Sequence, residues 1–348
     1  MARMKKVKNV ERDFLFQLVD GSEDSISERM YIDTMQVHSL VNRVFARQGH
    51  NVLIESLEIG VQSGGEFTAS ILRLPQHWAC VNAWTKTMSL WKQQQDDRAR
   101  ESGVESTRSR YHDFKIYFDA DHVDAGAAAN LLPQGVFRAD AASTTEYYDW
   151  DPSQVVVPNA GAPGNTAEYY LHMLGDDNGS VSRGMIHAYA ESRSRPFAQD
   201  PNIVDVPQGG LFGNMFDVGD DSSDIITNFQ DNNKDTPYLI GDQDATEYYP
   251  GGAFQAIGPQ QASSSGQVPG QFVDTLAVNA GQNYNSDMTS SFAAPCGLIK
   301  IVVEASGVGI SPGAVRPGEA VGGPLWCRVR LAPGHYQGIA AVPMQEVN

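Results

Sequence analysis

Cysteine is scarce in this chain of 348 residues: Cys80, Cys296 and Cys327 are an odd number at spacings unlike any zinc site. A disulfide framework is therefore not expected, and the three read as small buried apolar residues. Long apolar runs are missing too. None approaches the roughly 18 residues needed to span a bilayer. The start, "MARMKKVKNVER", runs on into "DFLFQLVDGSED" without the apolar stretch of about 7–15 residues that an export signal requires. The expectation is a soluble protein made in a cytoplasm. Positive charge is the third shortage, with 25 basic against 42 acidic residues and a net charge of −17. The acids are scattered rather than blocked, and this balance argues against a general nucleic-acid binder, which needs clustered Lys and Arg.

Catalytic patterns are also sparse. The eight histidines, His38, His50, His77, His112, His122, His172, His187 and His335, stand singly, with no HExxH, and the chain has no P-loop. The stretch "HDFKIYFDADHVD" (112–124) gathers His112, Asp113, Asp119, Asp121, His122 and Asp124, enough for a metal or acid/base site. A strand end running into a polar loop accounts for the same residues, and no enzyme is expected.

What is abundant is punctuation. The 33 Gly and 18 Pro fall mostly between short apolar runs, the pattern of an all-β sandwich or barrel. Residues 51–62 and 67–74 alternate around "SGGE" and read as a hairpin. In 112–119, Phe114, Ile116 and Phe118 share a face at period two. Further strands are expected at 151–158, 167–174, 271–278, 296–305, 325–331 and 336–344, the last two pairing across "APGH". Residues 251–270 and 306–324 read as long surface loops.

Helices interrupt this series. Residues 76–97 hold three of the five tryptophans and place Val81, Trp84, Met88 and Trp91 on one stripe, with Pro75 suited to the first turn. Trp84 and Trp91 read as the face that packs on the sandwich, while Trp78, near the helix start, is the best candidate for contact with a neighbouring subunit. Residues 180–193, with Gly184 inside, and 222–235 are two more candidate helices. The acid-rich loops 174–180 and 217–224 offer Asp176, Asp177, Asp220 and Asp221, oxygen ligands of the kind calcium prefers but without the spacing of a twelve-residue calcium loop. Asx turns and helix caps account for most of them. The remaining reading is a structural Ca2+ shared between subunits, and no other cofactor is expected.

Strands paired by short turns, with helices and long loops inserted, are the pattern of a jelly roll with decorated connections. A rough echo between 51–119 and 151–240 favours a double jelly roll over a single elaborated one. The expected organisation is a short basic arm and lead-in strand over 1–24, a first barrel with the inserted helix over 25–145, and a second barrel over 146–348.

Four segments, "YIDTMQVHSLVNRVFARQGHNVLIESLEIGV", "WACVNAW…LWK", "APCGLIKIVVEA" and "RLAPGHYQGIAAVPM", carry a further reading. In their organisation, which extends over nearly the whole chain, they resemble the jelly-roll major capsid proteins of small icosahedral DNA viruses, in particular environmental single-stranded DNA viruses and tailless phages. The resemblance implies a structural protein that self-assembles into a shell, resident in the virion and meeting copies of itself and minor or vertex proteins. One departure stands out. Single-barrel capsid proteins of this kind often have a long Arg-rich arm, whereas here Arg3, Lys5, Lys6 and Lys8 are nearly all of it. Against −17, so few charges neutralise little phosphate, and the arm is expected to face either the genome or the headgroups of an inner membrane. Two other classes compete: a receptor- or carbohydrate-binding sandwich, which needs exposed aromatics in a groove, and a cupin-type enzyme, which needs a histidine spacing that this chain lacks.

Overall fold

A computed structural model of the chain describes residues 9–19, 29–61, 66–104, 112–127, 130–133, 150–158, 166–175, 177–194, 270–279, 285–305 and 325–347. In chain order its elements are β1 (Asp13–Val19), β2 (Arg29–Asp33), α1 (Thr34–Asn42), β3 (His50–Val61), β4 (Glu66–Arg73), α2 (Trp78–Glu101), β5 (Tyr117–Asp119), α3 (Ala120–Ala125), β6 (Gln154–Pro158), β7 (Thr166–Leu174), β8 (Ser182–Gly184), α4 (Met185–Ser194), β9 (Gln271–Asn279), β10 (Asn285–Met288), β11 (Phe292–Ala294), β12 (Leu298–Ala305), β13 (Leu325–Leu331), β14 (Pro333–Tyr336) and β15 (Ala341–Pro343). They fall into two units. Unit 1 comprises Met1–Leu74, Gly126–Asp151 and Gly270–Val347, and unit 2 comprises Pro75–Ala125, Pro152–Pro269 and Asn348.

Unit 1 is an all-β sandwich of two antiparallel sheets. One follows the order β1-β13-β3-β10, with β11 and β15 also on β3; the other runs β2-β12-β4-β9. Period-two sequences explain the strands. Phe14, Phe16 and Leu18 of β1 and Leu325, Cys327, Val329 and Leu331 of β13 point inward, and their intervening neighbours point out. In β3 the inward set is Val52, Ile54, Leu57, Ile59 and Val61, with a spacing of three in the middle. A bulge absorbs the extra residue: Arg330 lies opposite Ser56 but Leu331 opposite Ile54, so Glu55 stands out of register and both apolar runs stay inside. They meet Ile32, Ile71, Ile299 and Ile301 of the other sheet in one core.

Several expected pairings differ. Residues 51–62 and 67–74 do not form a hairpin, because β3 and β4 belong to opposite sheets. Likewise β13 pairs with β1 and β3, and β15 pairs with β3 rather than with β13. Alternation states which face of a strand is buried but not which strand lies beside it. The boundary expected near residue 145 is crossed for the same reason: β1 to β4 bury their apolar faces together with β9 to β13, so the two ends of the chain share both sheets.

Unit 2 has a different character. Its described strands make one mixed sheet in which β7 pairs antiparallel with β6 and parallel with β5 and β8. This differs from the antiparallel second barrel expected over 146–348. Helix α2 starts at Trp78 rather than 76, with His77 as its cap and Pro75 outside, and it runs to Glu101. There Arg98 and Arg100 complement the negative end of the helix dipole. The candidate helix 180–193 resolves into β8, ending at Gly184, and α4. The candidate helix 222–235, the loop 306–324 and all of 251–270 except Gly270 lie outside the described residues.

Candidate functional site

The tryptophan stripe belongs to unit 2's own packing. Trp84 is 4% exposed and meets Phe114 edge-on at 5.9 Å. Trp91 is 7% exposed and lies 5.5 Å from Phe114 and 5.7 Å from His112. Such tilted and edge-on contacts are the favoured geometries of aromatic pairs. Met88 is partly buried on the same helix. Trp78, the residue expected to reach a neighbouring subunit, meets α4 within the chain: Tyr189 lies edge-on at 6.3 Å and the Arg193 guanidinium sits 4.8 Å above the ring. Further along α2, the Gln94 side chain imitates a neighbouring strand. Its Nε2 donates to the Val156 carbonyl at 2.7 Å, and its Oε1 accepts from the Val156 N–H at 3.1 Å. The pair covers part of the outer edge of β6.

The carboxylates and histidines of 112–124 have separate local roles. Asp113 pairs with the buried Lys115 at 2.7 Å, Asp119 accepts from the His122 N–H, His122 Nδ1 accepts from the Phe118 N–H, and Asp124 accepts from Asn178. Of the four calcium candidates, Asp176, Asp220 and Asp221 lie outside the described residues. Asp177 closes its own turn: Oδ2 accepts from Arg183 and Oδ1 from the Gly184 N–H at 2.9 Å. Among the described residues, no group of three or more His, Cys, Asp or Glu is placed to share a metal ion. Burial pushes the Cys80 thiol up to about 12 and raises Cys327 as well, so neither is a thiolate at neutral pH. No described helix is long and apolar enough to cross a membrane. The basic residues Arg3, Lys5, Lys6 and Lys8 precede the described part of the chain.

Two features of unit 1 have no counterpart in the sequence expectations. The first is a buried carboxylate where β2 enters α1. Asp33 Oδ1 accepts from the Met35 and Gln36 N–H groups at 3.0 and 3.1 Å, and Oδ2 accepts from Gln48 Nε2 and Trp150 Nε1, both at 2.8 Å. The first pair of bonds caps the helix. Gln36 then accepts from Asn130, and the Leu131 N–H donates to the Tyr31 carbonyl, so residues 130, 131 and 150 are fastened to β2 and α1. Burial raises the Asp33 carboxyl to about 6, against the opposing pull of its four donors. Beside it, Thr34 Oγ1 donates to the Gly297 carbonyl at 2.9 Å. Gly297 has φ of +67°, and a side chain there would meet Thr34 Oγ1 at 2.5 Å. Only glycine suits the position.

The second is a shallow groove of about 490 Å3 on the outward face of β1 and β13, lined by Glu11, Asp13, Leu15, Trp326 and Arg328. Register assembles it: Asp13 lies opposite Arg330, Leu15 opposite Arg328 and Gln17 opposite Trp326. Trp326 in turn faces Gly60, where a Cβ atom would overlap the indole. Gly60 therefore lets the ring rest on the sheet. Asp13 grips the Arg328 fork, with Nε at 2.7 Å and Nη2 on the second oxygen, and Arg330 reaches the same carboxylate at 3.4 Å. The hydrogen bond from Arg328 is the main reason that Asp13 titrates below the usual carboxylate range.

No protein-family model, curated protein or solved structure matches this chain.

Proposed function

We propose that this chain is the major capsid protein of a small icosahedral DNA virus, a shell subunit without chemistry of its own. The observation carrying the reading is a nested order of strand pairs. Eight strands of unit 1 pair antiparallel as β1 with β13, β2 with β12, β3 with β10 and β4 with β9, alternating between the two sheets. A single long hairpin folded in this way and rolled up is a jelly roll. The reading is accordingly one jelly roll, in place of the two favoured by the sequence, with unit 2 inserted in the chain between β4 and β9. A rigid wall carrying an insertion in one connection suits a subunit that must tile a surface while its insertion varies.

Jelly rolls also carry lectins and cupin enzymes, so fold alone does not choose among them. The shell reading is preferred on the resemblance of the quoted segments and on the scatter of the histidines. Of the three described in unit 1, only His38 is fully buried, and its Nδ1 lies 3.1 Å from Asn42 of the same helix. The partners in this reading are copies of the chain and minor or vertex proteins, with Arg3, Lys5, Lys6 and Lys8 directed at the genome or an inner membrane. Electron microscopy and sedimentation of the purified chain test it. Closed particles of one diameter are the expected result, and removal of residues 1–10 should alter assembly while leaving the subunit folded. A monodisperse monomer or trimer across all ionic strengths would overturn the proposal.

A further inference from the structure

We infer that the groove on the outward face of β1 and β13 is a binding site for a neutral pyranose sugar, with Trp326 as the platform on which the ring stacks. This goes beyond the shell reading and does not depend on it. Trp326 is only partly buried, contributes to the groove wall and rests on Gly60, so the strands themselves set its position. Sites built on strands hold their geometry better than sites on loops. Around the indole stand the groups that sugar hydroxyls require. The Asp13–Arg328 pair supplies acceptors and donors side by side, and Glu11 adds a carboxylate whose Oε1 already accepts from the Asp13 N–H at 3.2 Å. Leu15, 39% exposed, gives an apolar contact for the sugar's C–H face. The volume lies in the range of small-ligand sites.

Charge selects the ligand class. Glu11 and Asp13 are matched by Arg328 and by Arg330, which reaches the same Asp13 carboxylate, so the groove offers no net positive charge to attract nucleic acid or sialylated or sulfated sugars. A cation over the indole would in turn meet the Arg328 guanidinium already in the groove. A neutral polyhydroxylated ring, with both faces and edges to satisfy, fits what remains.

The test is binding of the purified full chain to an array of oligosaccharides ending in glucose, galactose or N-acetylglucosamine, with heparin, poly(dT) and tetramethylammonium as anionic and cationic comparators. Retention on at least one neutral sugar is expected, weakened about tenfold or more by Trp326→Ala, as for loss of an aromatic anchor. Leu15→Arg, at an exposed position, should block the groove without touching the core, and Trp78→Ala should bind as the parent does. Thermal melts verify that each variant is folded. Absence of neutral-sugar binding at millimolar concentration, full binding by a folded Leu15→Arg variant, or binding of the charged probes alone would overturn the inference. Particle formation is scored separately, so either result leaves the shell reading to its own experiment.

Discussion

Unit 1 and unit 2 solve the problem of burial in different ways. In unit 1 the core is apolar side chains from two facing sheets, and the buried Asp33 receives a donor from every direction. In unit 2 an aromatic helix face packs against Phe114, and Trp84 Nε1, Thr87 Oγ1 and Ser182 Oγ are buried without a hydrogen-bond partner among the described residues. Unmet polar groups lower stability and leave packing less uniquely specified. The contrast is one of degree: Arg73 Nε and Gln271 Oε1 of unit 1 are also buried without a partner among the described residues, but the sandwich's buried carboxylate is fully met where the helix of unit 2 leaves its indole and hydroxyl donors unmet.

The largest effects should come from the two aromatic anchors. Phe16→Ala in the sandwich and Trp84→Ala in the helix should each cost about 3–5 kcal/mol in denaturant unfolding. They part company on milder replacement. Trp84→Phe should cost less than about 1.5 kcal/mol, because the indole N–H that it removes has no acceptor among the described residues. A loss below about 1 kcal/mol for Trp84→Ala would instead remove the helix from the stabilising core.

Asp33 gives the comparison a pH axis. Its folded pKa of about 6 lies above the ordinary 3.8, so the folded state holds the proton more tightly than the unfolded chain. The stability contributed by protonation is complete below 3.8 and is lost as pH rises through about 6. Between pH 7.5 and 3.5 this group alone should add roughly 3 kcal/mol to unit 1. Chemical denaturation of the parent and of Asp33→Asn isolates the effect: the variant should be less stable at pH 7.5, since its amide nitrogen opposes existing donors, and should lack this pH dependence. Equal slopes in the two proteins would refute the assignment.

What was legible in the sequence follows the same division. Strands β1, β3 and β13 could be read because one face of each is buried and the other largely wet, and α2 because Val81, Trp84 and Trp91 keep a helical spacing. Partners were not legible, since alternation carries no record of the neighbouring strand. Helix α1 escaped notice because three of its nine residues, Thr34, Gln36 and His38, are polar yet buried, which erases the apolar stripe that announces a helix. Its cap, Asp33, looks like any acid until Gln48 and Trp150 are brought to it from 15 and 117 residues away. The groove on β1 and β13 is harder still: Asp13 and Arg328 are separated by 315 residues, and only the β1–β13 register makes them neighbours.

Smaller changes sharpen the contrast at the edges of the sheets. Gln94→Ala in unit 2 removes both hydrogen bonds from the exposed Val156 and should cost about 1 kcal/mol. Hydrogen exchange at Val156 should quicken, while the β13 amides stay protected.

Asp13→Asn in unit 1 should cost least. The carboxylate is held by two arginines, but its side chain is 30% exposed and those of Arg328 and Arg330 are 44% and 43% exposed. Solvent and salt therefore screen the pair. A loss under about 1 kcal/mol, shrinking further in high salt, is expected. Because the folded pKa of Asp13 is depressed, its contribution is present above 3.8 and fades as pH falls through the lowered value, the opposite sign to Asp33. Stability measured from pH 7 down to 3 should therefore rise through the Asp33 titration before the Asp13 contribution disappears. In Asp13→Asn the final decline should soften while the rise remains, and a variant that loses the rise instead would place the titrating carboxylate at the surface rather than at the helix cap.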